Sequence, residues 1–297
     1  MRPINIALIF TGLIHFVLAA GFFFQQAWAT ALWPLPDTPL SYAFIASILA
    51  GGGAPLIWIG LSGELAALAG YGLGFGIMYA GMGLSALLFY VRDQTAALGW
   101  YALVMGVLAA IGGIFFFSTR RSRYAQASQP TPRIVRLAFI AEVAVLAAAG
   151  MLLVLKVPNT LPWNLSPESS VLYGWVFIGL AFYYLYAVLN PQWIHALGPL
   201  LGFLVYDLVL FGPLFARYGS LKPEHMRGQV AATLIIIFSA ALGIYYLFVN
   251  PRPAWEHHPG HHSNEETSCA APFGCSPQVR SNGIELGGHL SYTRCKS

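Results

Sequence analysis

The chain has 297 residues, of which 57% are hydrophobic and 9% charged, with a formal net charge of +4. Soluble domains carry about 25% charged residues, so this composition excludes a water-soluble globular protein and assigns the chain to a lipid bilayer. The basic excess comes from few residues and leaves no footprint for nucleic acid.

A helix crossing the hydrocarbon core needs about 20 apolar residues. Eight stretches qualify, at about 4–24, 40–60, 65–90, 98–118, 136–156, 171–190, 194–216 and 228–249. Their apolar runs are continuous, without the short alternating segments of a barrel, so helices are predicted. The expected fold is an all-α integral membrane protein of about eight transmembrane helices. Its expected place is the plasma membrane, or the inner membrane in a bacterium.

The first stretch has features of a secretory signal: Arg2, an apolar run, then Ala27-Trp28-Ala29. The run of about 20 residues exceeds the ~7–15 of a signal core, so a retained span is expected. It carries His15 near its middle. An imidazole there suits haem ligation or proton relay, but no second histidine lies near mid-depth, and a hydrogen bond across helices is the simpler reading. Loop 25–39 holds Trp28 and Trp33, anchors for an aromatic belt.

The second span contains Gly51, Gly52, Gly53 and Pro55. Glycine weakens a helix and proline removes an amide donor, so a kink or short unwound segment is expected there. Broken helices line substrate sites in transporters, whereas small residues more often serve close helix contact. The third span, with Gly70, Gly72, Gly74 and Gly76, offers further small-residue seams, and Tyr79 near its middle. The fourth carries no ionisable group.

Segment 118–136 is polar and basic, with Arg120, Arg121, Arg123, Arg133 and Arg136. It divides two halves that resemble each other. Trp33-Pro34-Leu35 matches Trp163-Asn164-Leu165, with Tyr42 and Tyr173 near the start of the helix that follows. Gly70, Leu73, Gly74, Phe75 and Tyr90 match Gly198, Leu201, Gly202, Phe203 and Tyr218, and Gly113-Ile114-Phe115-Phe116 matches Gly243-Ile244-Tyr245-Tyr246. Four ordered blocks at offsets near 130 predict two four-helix repeats. An even helix number makes them parallel, related by an axis along the membrane normal. The expected division is a first repeat over 1–118, a basic linker over 119–135, a second repeat over 136–250 and a polar, disordered tail over 251–297. The arginine-rich segment and Arg2 put both termini in the cytoplasm under the positive-inside rule.

In the second half, Glu142 is expected to reach Arg136 or Arg133 from about 8 Å inside its helix, or to meet His15 near the pseudo-twofold axis. Asp207 falls near the centre of the seventh span, where a carboxylate costs roughly 2.5–3.5 kcal/mol. Its repeat equivalent, Tyr79, suggests a phenol-to-carboxylate hydrogen bond. The tail holds His257, His258, His261 and His262, a weak candidate metal site, and Cys269, Cys275 and Cys295 without zinc-ligand spacing.

No phosphate-binding loop, nucleophile elbow or zinc-protease motif is present, and no motif names a cofactor. The expected function is a carrier or channel for a small solute, passing between the two repeats, with Asp207, Tyr79, His15 and Glu142 as polar lining. The alternatives are a redox protein or enzyme holding haem or quinone, and an accessory protein of a membrane complex. The expected partners are the bilayer, the solute and either further copies of the chain or a membrane-complex subunit.

Overall fold

The computed structural model describes residues 2–121, 129–220 and 223–249. The tail, with the candidate metal site His257, His258, His261 and His262 and with its three cysteines, and the middle of the basic linker lie outside the described residues. Among the described residues the structure is helical, with no strand. Eight helices are long and apolar enough to cross a membrane, which makes this a multi-pass membrane protein.

In chain order the helices are α1 (Pro3–Phe23), a single turn α2 (Ala27–Thr30), α3 (Pro39–Ser62), α4 (Leu68–Asp93), α5 (Ala96–Thr119), α6 (Arg133–Val154), α7 (Pro167–Leu189), α8 (Trp193–Ala216) and α9 (Pro223–Ile244). Local chemistry explains several of the ends. Thr38 caps α3 by accepting from the Ser41 amide at 3.3 Å, and Ser166 caps α7 by accepting from the Ser169 amide at 3.0 Å. Each cap is followed by proline at the first helical position, where the missing amide costs nothing. Gly63 closes α3 with φ +74°, a left-handed conformation that glycine adopts without strain.

Helices α3, α4, α7 and α8 are the most buried, while α1, α5, α6 and α9 are largely exposed along their lengths. The packed pairs are α1 on α3, α4 on α5, α6 on α7 and α8 on α9, joined across the centre by α3 on α8 and α4 on α7. The outer surface is apolar, with Phe10, Val17, Val104, Ile114 and Leu137 exposed, as contact with lipid chains requires. The connections 24–38, 94–95, 155–166 and 217–220 lie on one face. The start of α1, the basic linker and turn 190–192 lie on the other, called here the terminal face. There the linker joins the turn through Thr131 N–H to Pro191 O at 3.0 Å and Trp193 N–H to Gln129 O at 2.7 Å.

The central contacts are made backbone to backbone. A Cβ built on Gly51 of α3 would stand 2.8 Å from the Gly202 carbonyl oxygen of α8; one on Gly74 of α4 would stand 2.8 Å from that of Gly179 of α7. Helix α3 runs without interruption through Gly51, Gly52, Gly53 and Pro55, so the expected unwound segment is not formed. Small residues let neighbouring backbones approach, and that contact keeps the segment helical across the glycines. Gly53 lies against the Gly12 carbonyl of α1, Gly52 against the Phe75 ring, and the Pro55 ring against Gly202.

Candidate functional site

Two cavities flank the central contact, both in the half of the molecule away from the terminal face. The first, about 610 Å³, lies among α1, α3, α4 and α5. The second, about 250 Å³, lies among α6, α7, α8 and α9. Phe44, Ile48 and Phe75 belong to the walls of both and stand between them. Each is open at the side. The first and last helices of each half pack on their inner neighbours and not on one another, and exposed wall residues mark the gaps: Val104 and Trp100 in one, Val145 in the other.

The first cavity is apolar with a few polar groups, the usual make-up of a small-molecule site. His15 lies on its wall with Nδ1 2.8 Å from the Thr11 carbonyl oxygen. A carbonyl only accepts, so Nδ1 carries the proton and Nε2 offers a lone pair in the neutral ring. Tyr79 and Tyr101 share the wall and are within electrostatic reach of each other. At the outer end stands Trp33, stacked on Tyr173 at 5.4 Å and edge-on to Tyr101 at 5.9 Å. Its indole N–H is buried with no hydrogen-bond partner, whereas buried donors are normally satisfied.

The second cavity repeats this plan with different polar groups. Trp163 stands at its outer end, also with a buried, unpartnered indole N–H. Glu142 lies on its wall. Because α6 begins at Arg133, three residues earlier than expected, Glu142 sits about 13 Å along the helix. Arg136 and Arg133 lie about 120° and 180° round the helix from it, so the expected ion pair with either is not formed. Among the described residues Glu142 has no salt-bridge or hydrogen-bond partner. Tyr184 and Tyr206 are within its electrostatic reach, as is Asp207.

Asp207 is 1% exposed. One carboxyl oxygen accepts from Ser239 Oγ of α9 at 2.6 Å, and the other is buried without a partner. The expected bond to Tyr79 is therefore replaced by one to Ser239, because α9 and not α4 covers that side of α8. His15 and Glu142 do not meet; they occupy corresponding places in separate cavities. Of the four predicted residues, the fold thus gathers His15 with Tyr79, and Glu142 with Asp207.

Beneath both cavities the centre is closed by aromatic packing. Tyr71 stacks on Phe75 at 4.1 Å, Tyr183 lies edge-on to both, and Tyr186 meets His195 edge-on at 5.2 Å. His195 is buried there. Tyr101, Tyr184, Tyr206 and Ser239 were not singled out by the sequence; Trp33 and Trp163, matched in the two halves, stand at the cavity mouths. Among the described residues no three histidine, cysteine, aspartate or glutamate side chains come together as a metal site. No family model, curated protein or solved structure matches the chain.

Proposed function

We propose that the protein is a carrier for a small solute across the plasma membrane, built from two parallel four-helix repeats with both termini in the cytoplasm. The observation that carries this reading is the pair of cavities in corresponding positions, each with one ionisable group at mid-membrane, His15 in the first and Glu142 in the second. Intramembrane ionisable groups are costly, and where they persist they mark solute or proton pathways.

The duplication is supported by contacts as well as letters. The caps Thr38-Pro39 and Ser166-Pro167 are 128 residues apart, as are Gly51 and Gly179, and Gly74 and Gly202. Under that offset the α3–α8 contact maps onto the α7–α4 contact, glycine for glycine. Orientation is supported by charge: Arg120, Arg121, Arg133 and Arg136 stand at the terminal face, while Arg92 at the opposite face is paired with Asp93 at 2.7 Å and Glu168 at 3.3 Å.

In this reading the described conformation is the one open away from the cytoplasm. Both cavities lie in that half, and the Tyr71, Phe75 and Tyr183 packing closes the path between the repeats toward the terminal face. Release on the other side requires that packing to part while the cavity mouths close. The glycine contacts are the seams on which the repeats move.

A second reading is favoured by the first cavity alone: the Trp33 N–H, without a partner among the described residues, suits a quinone carbonyl, and the His15 lone pair suits the hydroxyl of its reduced form, as in a redox protein. An absorption spectrum with native mass spectrometry on the purified protein separates the two. A colourless protein that exchanges labelled solute in proteoliposomes supports the carrier. A stoichiometric quinone or haem, with no exchange across a panel of neutral, cationic and anionic solutes, overturns it.

A further inference from the structure

The second cavity combines three features that together select a ligand. The first is a connected aromatic wall. From the mouth inward, Trp163 contacts Phe44 at 5.6 Å, Phe44 contacts Tyr206 at 6.0 Å, Tyr206 contacts Phe203 at 5.8 Å and Phe203 contacts Tyr184 at 5.0 Å. Ring faces carry negative potential and attract a cation within about 6 Å, most strongly where water is excluded. The second is the carboxyl of Glu142, which has no cationic partner among the described residues and stands at the inner end of that wall. The third is Tyr183, which lines the same cavity, is 5% exposed and has a buried hydroxyl with no hydrogen-bond partner among the described residues.

Among the described residues no lysine, arginine or histidine lines this cavity. At its mouth Arg217 donates to the Pro162 carbonyl at 3.4 Å. The groups facing Glu142 from neighbouring elements are neutral or acidic: Tyr184 from α7, Tyr206 and Asp207 from α8, and Ser239 from α9. An anionic ligand would meet a like charge and a neutral one would leave the carboxyl unmatched. The lateral gap between α6 and α9, marked by exposed Val145, gives a route from the lipid.

We propose that the second cavity binds a lipophilic organic cation, a quaternary or tertiary ammonium carried on an apolar body, held between the aromatic wall and the Glu142 carboxylate. This rests on the carrier reading and names its substrate class. Binding exchanges one positive charge for another. The Glu142 carboxylic acid gives up its proton as the cation enters, and regains it as the cation leaves, so the site keeps its net charge. Protons therefore compete with the cation, and affinity falls as pH falls.

The test uses benzyltrimethylammonium and the full-length protein in detergent, with binding followed by Trp163 fluorescence and by calorimetry. Wild type is expected to bind saturably, with proton release. Glu142→Gln, near-isosteric and uncharged, is expected to lose affinity about tenfold or more, equivalent to ~1.4 kcal/mol, while eluting as wild type. Gly106→Ala, at a position that lines neither cavity and has open space around its built Cβ, is expected to bind as wild type. A neutral isostere, neopentylbenzene, is expected not to compete. Equal binding by wild type and Glu142→Gln, or equal competition by the neutral isostere, overturns the proposal. Parallel uptake in proteoliposomes separates the two claims. Glu142-dependent binding without uptake supports the cation site and overturns the carrier. Uptake of a neutral solute with no cation binding does the reverse.

Discussion

Gly51 and Gly202 meet backbone to backbone, each offering its carbonyl oxygen 2.8 Å from where the other's Cβ would stand. Gly74 and Gly179 do the same in the other central pair, at 2.8 and 2.7 Å. Neither helix can yield locally, because the obstructing atom is main chain. Gly51→Ala or Gly74→Ala should therefore push helices apart and lower stability by about 1–3 kcal/mol, the cost of overpacking. Gly106→Ala, with nothing within 4 Å of its built Cβ, should be neutral or slightly stabilising, since alanine favours helix by up to ~1 kcal/mol. Thermal unfolding of the three variants in one detergent checks the order.

Tyr173 joins the start of α7 to the start of α3 by donating its hydroxyl to Asp37 Oδ2 at 2.8 Å. The bond bridges the two halves on the face opposite the termini, between the cavity mouths. Tyr173→Phe removes the donor and keeps the ring stacked on Trp33, so it should cost about 1–2 kcal/mol. The same assay on Trp33→Phe should show no loss attributable to a hydrogen bond, because that indole N–H has no protein partner.

At Asp207 and Ser239 the cost lies in stranding one partner. Ser239→Ala leaves both carboxyl oxygens of Asp207 buried without a partner, and should destabilise by about 1–3 kcal/mol. Removing both polar groups in Asp207→Leu with Ser239→Ala should recover most of that loss, because a shape-filling apolar pair needs no satisfaction. A double-mutant cycle of unfolding temperatures, including Asp207→Leu alone, reads the coupling directly.

The orientation has its own check. With Cys269, Cys275 and Cys295 replaced, Arg121→Cys should react with an impermeant thiol reagent from the cytoplasmic side and Gln94→Cys from the other; both positions are exposed. Reaction of Arg121→Cys from outside would invert the topology.

Much of the architecture was legible because span length and apolar composition are direct consequences of the bilayer. The eight expected stretches and the eight helices differ at their ends by a few residues. The expected ion pair of Glu142 fails on helix geometry: Arg136 and Arg133 lie six and nine residues back on α6, about 120° and 180° round the helix from it. Intrinsic propensity favours an unwound segment at Gly51–Pro55, but packing against Gly12, Phe75 and Gly202 keeps it helical. The Trp33 and Trp163 anchors set an offset of 130. The caps at Thr38 and Ser166 were the better landmark: they set 128 and place Gly51 with Gly179. The partner of Asp207 was not legible, since no local pattern says which helix covers α8. Ser239 on α9 reads in sequence as one more small membrane residue.

The central claim is transport through a site that depends on the intramembrane carboxyl of Glu142, and exchange in proteoliposomes by wild type beside Glu142→Gln tests it most directly. The variant is near-isosteric and uncharged and should match wild type in elution and unfolding temperature, yet lose saturable exchange of the solute that wild type carries. Equal exchange by the two proteins, or none by wild type across the panel of neutral, cationic and anionic solutes, would contradict the account.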